Sequence, residues 1–279
     1  MSHEGTVRIA FFFGILIIMA VWEVLEPRRA LTVSKTLRWV SNIGIVVLYT
    51  VALRIVFPIL AIDLAIIAAQ RGWGLLNNIS MPGWMSVVAG VFTLDLVIYL
   101  QHIMFHTLPV LWRLHMMHHA DLDIDVSTGL RFHPIEIFIS MGIKLAAIAA
   151  FGPPVLAVLI FEIILNATAM FNHSNVYLPL KFDAFLRLLV VTPDMHRVHH
   201  SVTIRETNSN FGFNFPWWDR LFGTYRPQPA AGHTGMTIGL AQFRDAKWQN
   251  LFRMLVLPFV GDPGQYAINR RGREPVPKD

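Results

Sequence analysis

Residues 101–120 read QHIMFHTLPVLWRLHMMHHA and carry five histidines, His102, His106, His115, His118 and His119. Spacings of three and four residues place side chains on one face of an α-helix. The stretch therefore predicts two imidazole faces, His102/His106 and His115/His118/His119, parted by a break at Leu108-Pro109. A third face, His196/His199/His200, repeats the second spacing further along the chain. A helical bundle that brings the three faces together holds enough imidazole for two metal ions.

Around this stretch the chain is apolar. Of its 279 residues 54% are hydrophobic and 15% charged, against about 25% charged in ordinary soluble domains. That balance predicts a membrane protein. The absence of cysteine excludes disulfides, thiolate metal sites, Fe–S clusters and thiol nucleophiles. The net charge of +5 suits cationic loops at anionic lipid head groups. No basic stripe is interleaved with stacking aromatics, which argues against nucleic acid.

The predicted fold is all-α, a polytopic membrane helical bundle with a cytoplasmic helical cap that carries the histidine boxes. Spans are expected near residues 9–24, 41–69 and 84–101, followed by a hairpin over 135–171 turned at Gly152-Pro153-Pro154. The second run exceeds the ~20 residues needed to cross a bilayer, and Pro58 should kink or split it. Arg54 and Asp63 within it should face protein or water. Residues 1–279 are read as one integral-membrane domain, with residues 102–134 and 172–279 as its histidine-rich cytoplasmic part. If the span before His102 ends on the histidine side, Arg28, Arg29, Lys35 and Arg38 lie there too, and the positive-inside rule makes that side cytoplasmic. Residues 242–257 set Phe243, Leu251, Phe252 and Leu255 against Arg244, Asp245, Lys247 and Arg253. They read either as a helix lying in the membrane interface or as one packed on the protein.

Imidazole suits Zn, Cu, Fe and Ni. Zinc proteases place Glu directly after the first His of H-E-x-x-H, and here that position is Ile103. Soluble di-iron bundles use Glu and Glu-x-x-His, and no carboxylate sits within these boxes. Eight neutral imidazoles would leave two divalent ions positively charged, a state compatible with iron that binds and activates O₂.

The three boxes, with Asp95-x3-Tyr99 before the first, Arg131-Phe132-His133-Pro134 after the second, Asn172-His173, Asn210-Phe211-Gly212 and the run Trp218 to Tyr225, resemble the fatty acid hydroxylase/sterol desaturase superfamily of integral-membrane di-iron oxygenases. The resemblance covers about residues 84–226. It implies two Fe ions held by His102, His106, His115, His118, His119, His196, His199 and His200, with His173 as a ninth ligand or else a capping residue. It implies no catalytic side chain apart from the metal ligands. Asp95, Tyr99, His133 and Asn210 are candidates for supporting roles. Asp95 either orients His102 or a neighbouring ligand, or pairs with Arg54 or Lys144. His133 is a ligand, a supporting residue or a turn element. Asn210 either holds a metal-bound water or turns the chain. Phe211 to Trp218 reads as an aromatic lid or lipid contact, and Asp219 with Arg220 as an ion pair.

The expected function is O₂-dependent hydroxylation or desaturation of a C–H bond in a membrane lipid, fatty acyl, sterol or related. No nucleotide, flavin or haem signature is present, so electrons must come from a ferredoxin, a cytochrome or a reductase. Arg197, Arg205, Arg220 and Arg226 either steer such a donor or form a solvated surface. The alternatives are a membrane metal-binding or transport protein and a zinc hydrolase without oxygenase activity.

Overall fold

The computed structural model describes residues 3–260 and 262–270. The last residues of the expected cytoplasmic part, 271–279, lie outside these. Helices α1 (His3–Leu25), α2 (Lys35–Val56), α3 (Ala61–Arg71), α4 (Gly83–Thr107), α5 (Pro109–His119), α6 (Pro134–Phe151), α7 (Val155–Asn172), α8 (Leu180–Leu186) and α9 (Pro193–His199) lead into short turns. Among the described residues the only β pairing is two isolated bridges, Pro27 to Val176 and Ser201 to Ile238.

Among the described residues, five segments are long and apolar enough to cross a membrane: Gly5–Leu25, Lys35–Arg71, Gly83–Thr107, Pro134–Phe151 and Val155–Asn172. Their outer faces carry exposed large apolar side chains, such as Ile18, Val24, Val40, Val51 and Ile55. A water-soluble protein rarely presents so continuous an apolar surface. In a bilayer, helices satisfy their own backbone groups and can present such faces. The chain is a multi-pass membrane helical bundle.

The bundle interior forms where α3, α4, α6 and α7 meet, around Ala65, Leu94, Ile98, Ile148, Val158 and Phe161. Small residues set the approach of these helices. A Cβ on Gly90 of α4 would sit 2.8 Å from Ala157 Cβ of α7. Gly152, which ends α6, has φ +60° and lies against the Trp73 carbonyl, where a Cβ would come within 2.3 Å. Only glycine takes both that backbone and that space.

Pro58 splits the second apolar run. Phe57 before it is extended, as steric conflict with the proline ring demands, and α2 stops at Val56. The whole of α2 stays at the histidine end. Arg38 near its start binds Asp121, Ile45 packs with Trp112 and Met116, and Phe57 after its end lies 6.2 Å from Phe138, near the start of α6. The short α3 then carries the chain to the opposite end, beside Gly152. Arg54, expected inside a crossing, is therefore in the last turn of α2 at the histidine end. Asp63 accepts the Leu60 amide and caps α3.

Two further expectations are refined. Helix α4 continues to Thr107, so His102 and His106 lie inside its last two turns. Residues 242–257 do not form one helix: a 3₁₀ turn at Ala246–Gln249 is followed by a six-residue helix, Leu251–Val256. Phe243, Met254 and Leu257 are buried against Trp112 and Met116, whereas Phe252 is 70% exposed.

Candidate metal centre

Each box stands at a helix end, where it meets the others. His102 and His106 close α4, His115, His118 and His119 close α5, His196 and His199 close α9 with His200 as its C-cap, and His173 caps α7. All nine are buried.

The nine rings form two groups. His102, His106, His115, His119 and His199 each offer a ring nitrogen within 4.8 Å of the others, and His118, His173, His196 and His200 do the same. The i, i+4 pair of α5 enters the first group and the corresponding pair of α9 the second. The i+3 residue of each box, His118 or His199, crosses to the other group. A residue three positions on is rotated by about −60° on a helix, one four positions on by about +40°, so one H-x-x-H-H box faces two sites.

The tautomers follow from the hydrogen bonds. Nδ1 donates to an oxygen in His102 (Phe211 O, 2.8 Å), His106 (Asn208 Oδ1, 3.0 Å), His115 (Glu136 Oε1, 2.6 Å), His118 (Arg131 O, 3.2 Å), His173 (Ala169 O, 2.7 Å) and His199 (Ser209 O, 2.7 Å). Asn208 Nδ2 is itself committed to Tyr266 O, which turns the amide oxygen toward His106. In a neutral ring a protonated Nδ1 leaves the lone pair on Nε2. The Nε2 atoms of His102 and His115 nevertheless face each other at 3.2 Å, and those of His118 and His173 at 3.1 Å. Two lone pairs cannot hydrogen-bond. Buried Nε2 atoms of His106 and His199 have no partner at all. Burial first, and the neighbouring imidazoles second, push His118, His119, His196, His199 and His200 well below the ordinary histidine range, and burial takes His173 to about 4. Converging lone pairs without protons are the donor set that metal cations take, so the residues fit the metal chemistry.

The supporting residues differ from expectation. Asp95 does not touch His102: its Oδ2 accepts from Trp218 Nε1 at 2.7 Å, and Lys144 pairs with Glu162 instead. The backbone oxygen of Phe211 orients His102. Tyr99 joins a relay in which its hydroxyl meets Thr224 Oγ1 at 2.8 Å and Thr224 donates to Asp219 Oδ1 at 2.6 Å. Asp219 also accepts the amides of Phe211 and Gly212, each at 2.8 Å. It is therefore an anchor for the Phe211 segment rather than the partner of Arg220, whose guanidinium lies over the Tyr225 ring. Burial pushes the Asp219 carboxyl up to about 6 despite these donors.

Asn210 turns the chain. Its φ is +53°, its Nδ2 binds the carbonyls of Met195 and Arg226, and its Oδ1 accepts the Arg226 amide. His133 lies outside both groups. It caps α6 through Nδ1 and donates Nε2–H to Leu255 O, so both ring nitrogens are engaged. Arg197 is fully buried and pairs with Asp194, which removes it from any surface that steers a partner. Phe211 and Phe213 pack on the His102 ring at 5.5 and 5.4 Å and shield it.

Glu136 and Asn208 escaped the reading of the sequence. Glu136 stands in the first turn of an apolar helix, where a carboxylate is also what the helix dipole favours. Its 4% exposure marks the difference. Partners of metal-binding histidines raise ligand basicity and fix the ring. Glu136→Gln is expected to lower metal affinity by about 10- to 100-fold, measured by competition with a chelator, with little change in melting temperature.

Residues 87–224 match the fatty acid hydroxylase family. The chain belongs to this superfamily. The ornithine lipid hydroxylase of Rhizobium tropici is 30% identical over 195 residues, 69% of this chain and 56% of that protein. Human alkylglycerol monooxygenase is 30% identical over 169 residues, 60% of this chain and 36% of that protein. The very-long-chain aldehyde decarbonylase of Oryza sativa subsp. indica is 27% identical over 160 residues, 56% of this chain and 59% of that protein. The chain thus spans about half the length of the first of these and about a third of the second. No solved structure matches it.

Proposed function

We propose that the protein is a di-iron oxidoreductase that uses O₂ to hydroxylate or desaturate a C–H bond of a membrane lipid, with residues 1–279 acting as one integral-membrane domain. The observation that carries this reading is the pair of histidine groups whose Nε2 lone pairs converge without protons. His102, His106, His115, His119 and His199 would hold one ion, and His118, His173, His196 and His200 the other. When bound, the two ions supply the one-electron and O₂ chemistry that side chains lack. The relatives named as lipid hydroxylase and monooxygenase support the reaction class.

The chain's own residues perform the rest. Phe211 and Phe213 exclude water from the His102 side of the centre. The carbonyls of Ala169, Arg131, Ser209 and Phe211 and the side chains of Glu136 and Asn208 hold six rings in one tautomer. Exposed apolar side chains on the histidine side, including Leu180, Phe182, Phe185, Leu221 and Phe222, support a centre at the level of the lipid surface. That side is cytoplasmic in this reading, and the electrons come from a ferredoxin, a cytochrome or a reductase.

Purified protein reduced in the presence of iron should contain about two iron atoms per chain and consume O₂ only with an electron donor and a lipid. Cells that express it should show lipid masses raised by one oxygen or lowered by two hydrogens. Stoichiometric zinc with no O₂ uptake after iron reconstitution would overturn the assignment.

A further inference from the structure

A second polar site lies beside the histidine centre. The loop between α1 and α2 encloses a cavity of about 240 Å³ lined by Glu23, Arg29, Lys35, Asp125 and Asn175, with Pro27, Ala30 and Leu31. Its walls are fixed. Pro27 bridges to Val176, the Arg28 amide donates to Asn175 O, and Asp123 accepts the Thr32 and Val33 amides. Asn175 is two residues from His173, and the 3₁₀ turn Val126–Leu130 that Asp125 caps reaches that ring: a Cβ on Gly129 would stand 3.3 Å from His173 Nδ1.

Some charges on this wall are matched and others are not. Asp125 is occupied by Arg38 and Ser127. Glu23 is 5% exposed; its Oε1 accepts the amides of Val126 and Asn175, but its Oε2 is buried without a partner. Arg29 spends Nη1 on the carbonyls of His233 and Met236, yet its Nε is buried without a partner. Lys35 lies 5.3 Å from the Trp39 ring, and its charge reaches Glu23 without a direct ion pair. Buried polar atoms left in this state are costly unless something else satisfies them. The cavity is thus lined by one carboxylate and two cations, of which Glu23 Oε2 and Arg29 Nε have no hydrogen-bond partner, across a space the size of a small polar head group.

We propose that this cavity binds a compact zwitterion, its ammonium on Glu23 and its oxyanion on Arg29 and Lys35. A lipid with such a head group would be anchored beside the centre while its chain remains among the helices. That the zwitterion is a lipid rests on the reaction proposed above; the head-binding chemistry does not.

The test uses the full chain in detergent, with binding measured by titration and no turnover required. The probes are N-hexadecanoyl-ornithine, which carries one carboxylate and one ammonium, monohexadecanoylglycerol, which has a similar tail and no charge, and N-acetyl-ornithine, which has the head without the tail. The zwitterionic lipid should bind about tenfold or more tightly than the glycerol ester, the gain from one charge-assisted hydrogen bond. Glu23→Gln keeps an acceptor for the two amides and should erase most of that preference. Lys35→Gln, at a half-buried position, should reduce it in a protein with unchanged melting temperature. Equal affinity for the two lipids in the unaltered protein would refute the site, as would a preference that survives both substitutions. Equally tight binding of N-acetyl-ornithine keeps the site and assigns it to a soluble zwitterion. A protein that shows the preference but consumes no O₂ overturns the reaction and leaves the site standing.

Discussion

His118→Ala and His199→Ala proteins are expected to reach the membrane and to lose turnover by more than about 100-fold, beyond what changes in supporting residues cost. Each variant removes the histidine that crosses from its own helix to the other group. The metal content should nonetheless differ between them. His118→Ala leaves three imidazoles in its group, His173, His196 and His200, whereas His199→Ala leaves four. The first should lose an ion more readily than the second when both are dialysed against a chelator. His133→Ala is the control. It lies outside both groups, and losing a helix cap costs about 1 kcal/mol, so its metal content should match the unaltered protein. Full activity in either box variant would contradict the assigned roles.

Arg38→Met should destabilise the protein by about 3–5 kcal/mol, the loss typical of a buried charge network with one partner removed. Methionine nearly fills the space, so the effect would be electrostatic. The guanidinium has no exposure and binds Asp121 at 2.6 and 2.9 Å, Asp125 at 2.5 Å and Thr128 at 2.9 Å. Without it the buried carboxylates of Asp121 and Asp125 lose the guanidinium they share. Burial alone would raise the Asp121 carboxyl, and Arg38 with Arg131 overcomes this and holds it below its ordinary range. A depressed carboxyl contributes stability above its unfolded value, about 3.9, and loses that contribution as the pH falls. In the variant the same carboxyl is depressed less, because Arg131 and Thr128 alone remain to hold it down, and it has less stability to lose as the pH falls. The difference in melting temperature between the two proteins should therefore narrow as the pH is lowered toward 4. A difference independent of pH would mean that packing, not charge, is what Arg38 provides.

Much of the architecture could be read from short-range patterns. The apolar runs marked the helices, Pro58 marked the break, and the spacing of three and four marked the histidines that the structure gathers. Histidine spacing defines a face of one helix but not which faces meet, so the exchange of His118 and His199 between groups could not be foreseen. Asp95 was misread because a carboxylate deep in an apolar run implies a partner without naming it, and Trp218 is 123 positions away. Asp219 stands next to Arg220, which invited an ion pair, while the amides it binds are made available only by the turn at Asn210. His133 precedes a proline that starts a helix, and capping explains it fully.

The three acceptors contributed by residues 208–211 also bear on how a substrate arrives. Asn208, Ser209 and Phe211 each hold one ring of the same five-histidine group, and Asp219 pins the last of them. Lifting this segment would break those bonds together, at about 1–3 kcal/mol for each buried group left unsatisfied, and would free the rings to rotate. It is a wall and not a door. If the substrate is the membrane lipid proposed above, it is expected to come in sideways, between helices, with turnover governed by lateral diffusion in the leaflet and insensitive to the viscosity of the surrounding water.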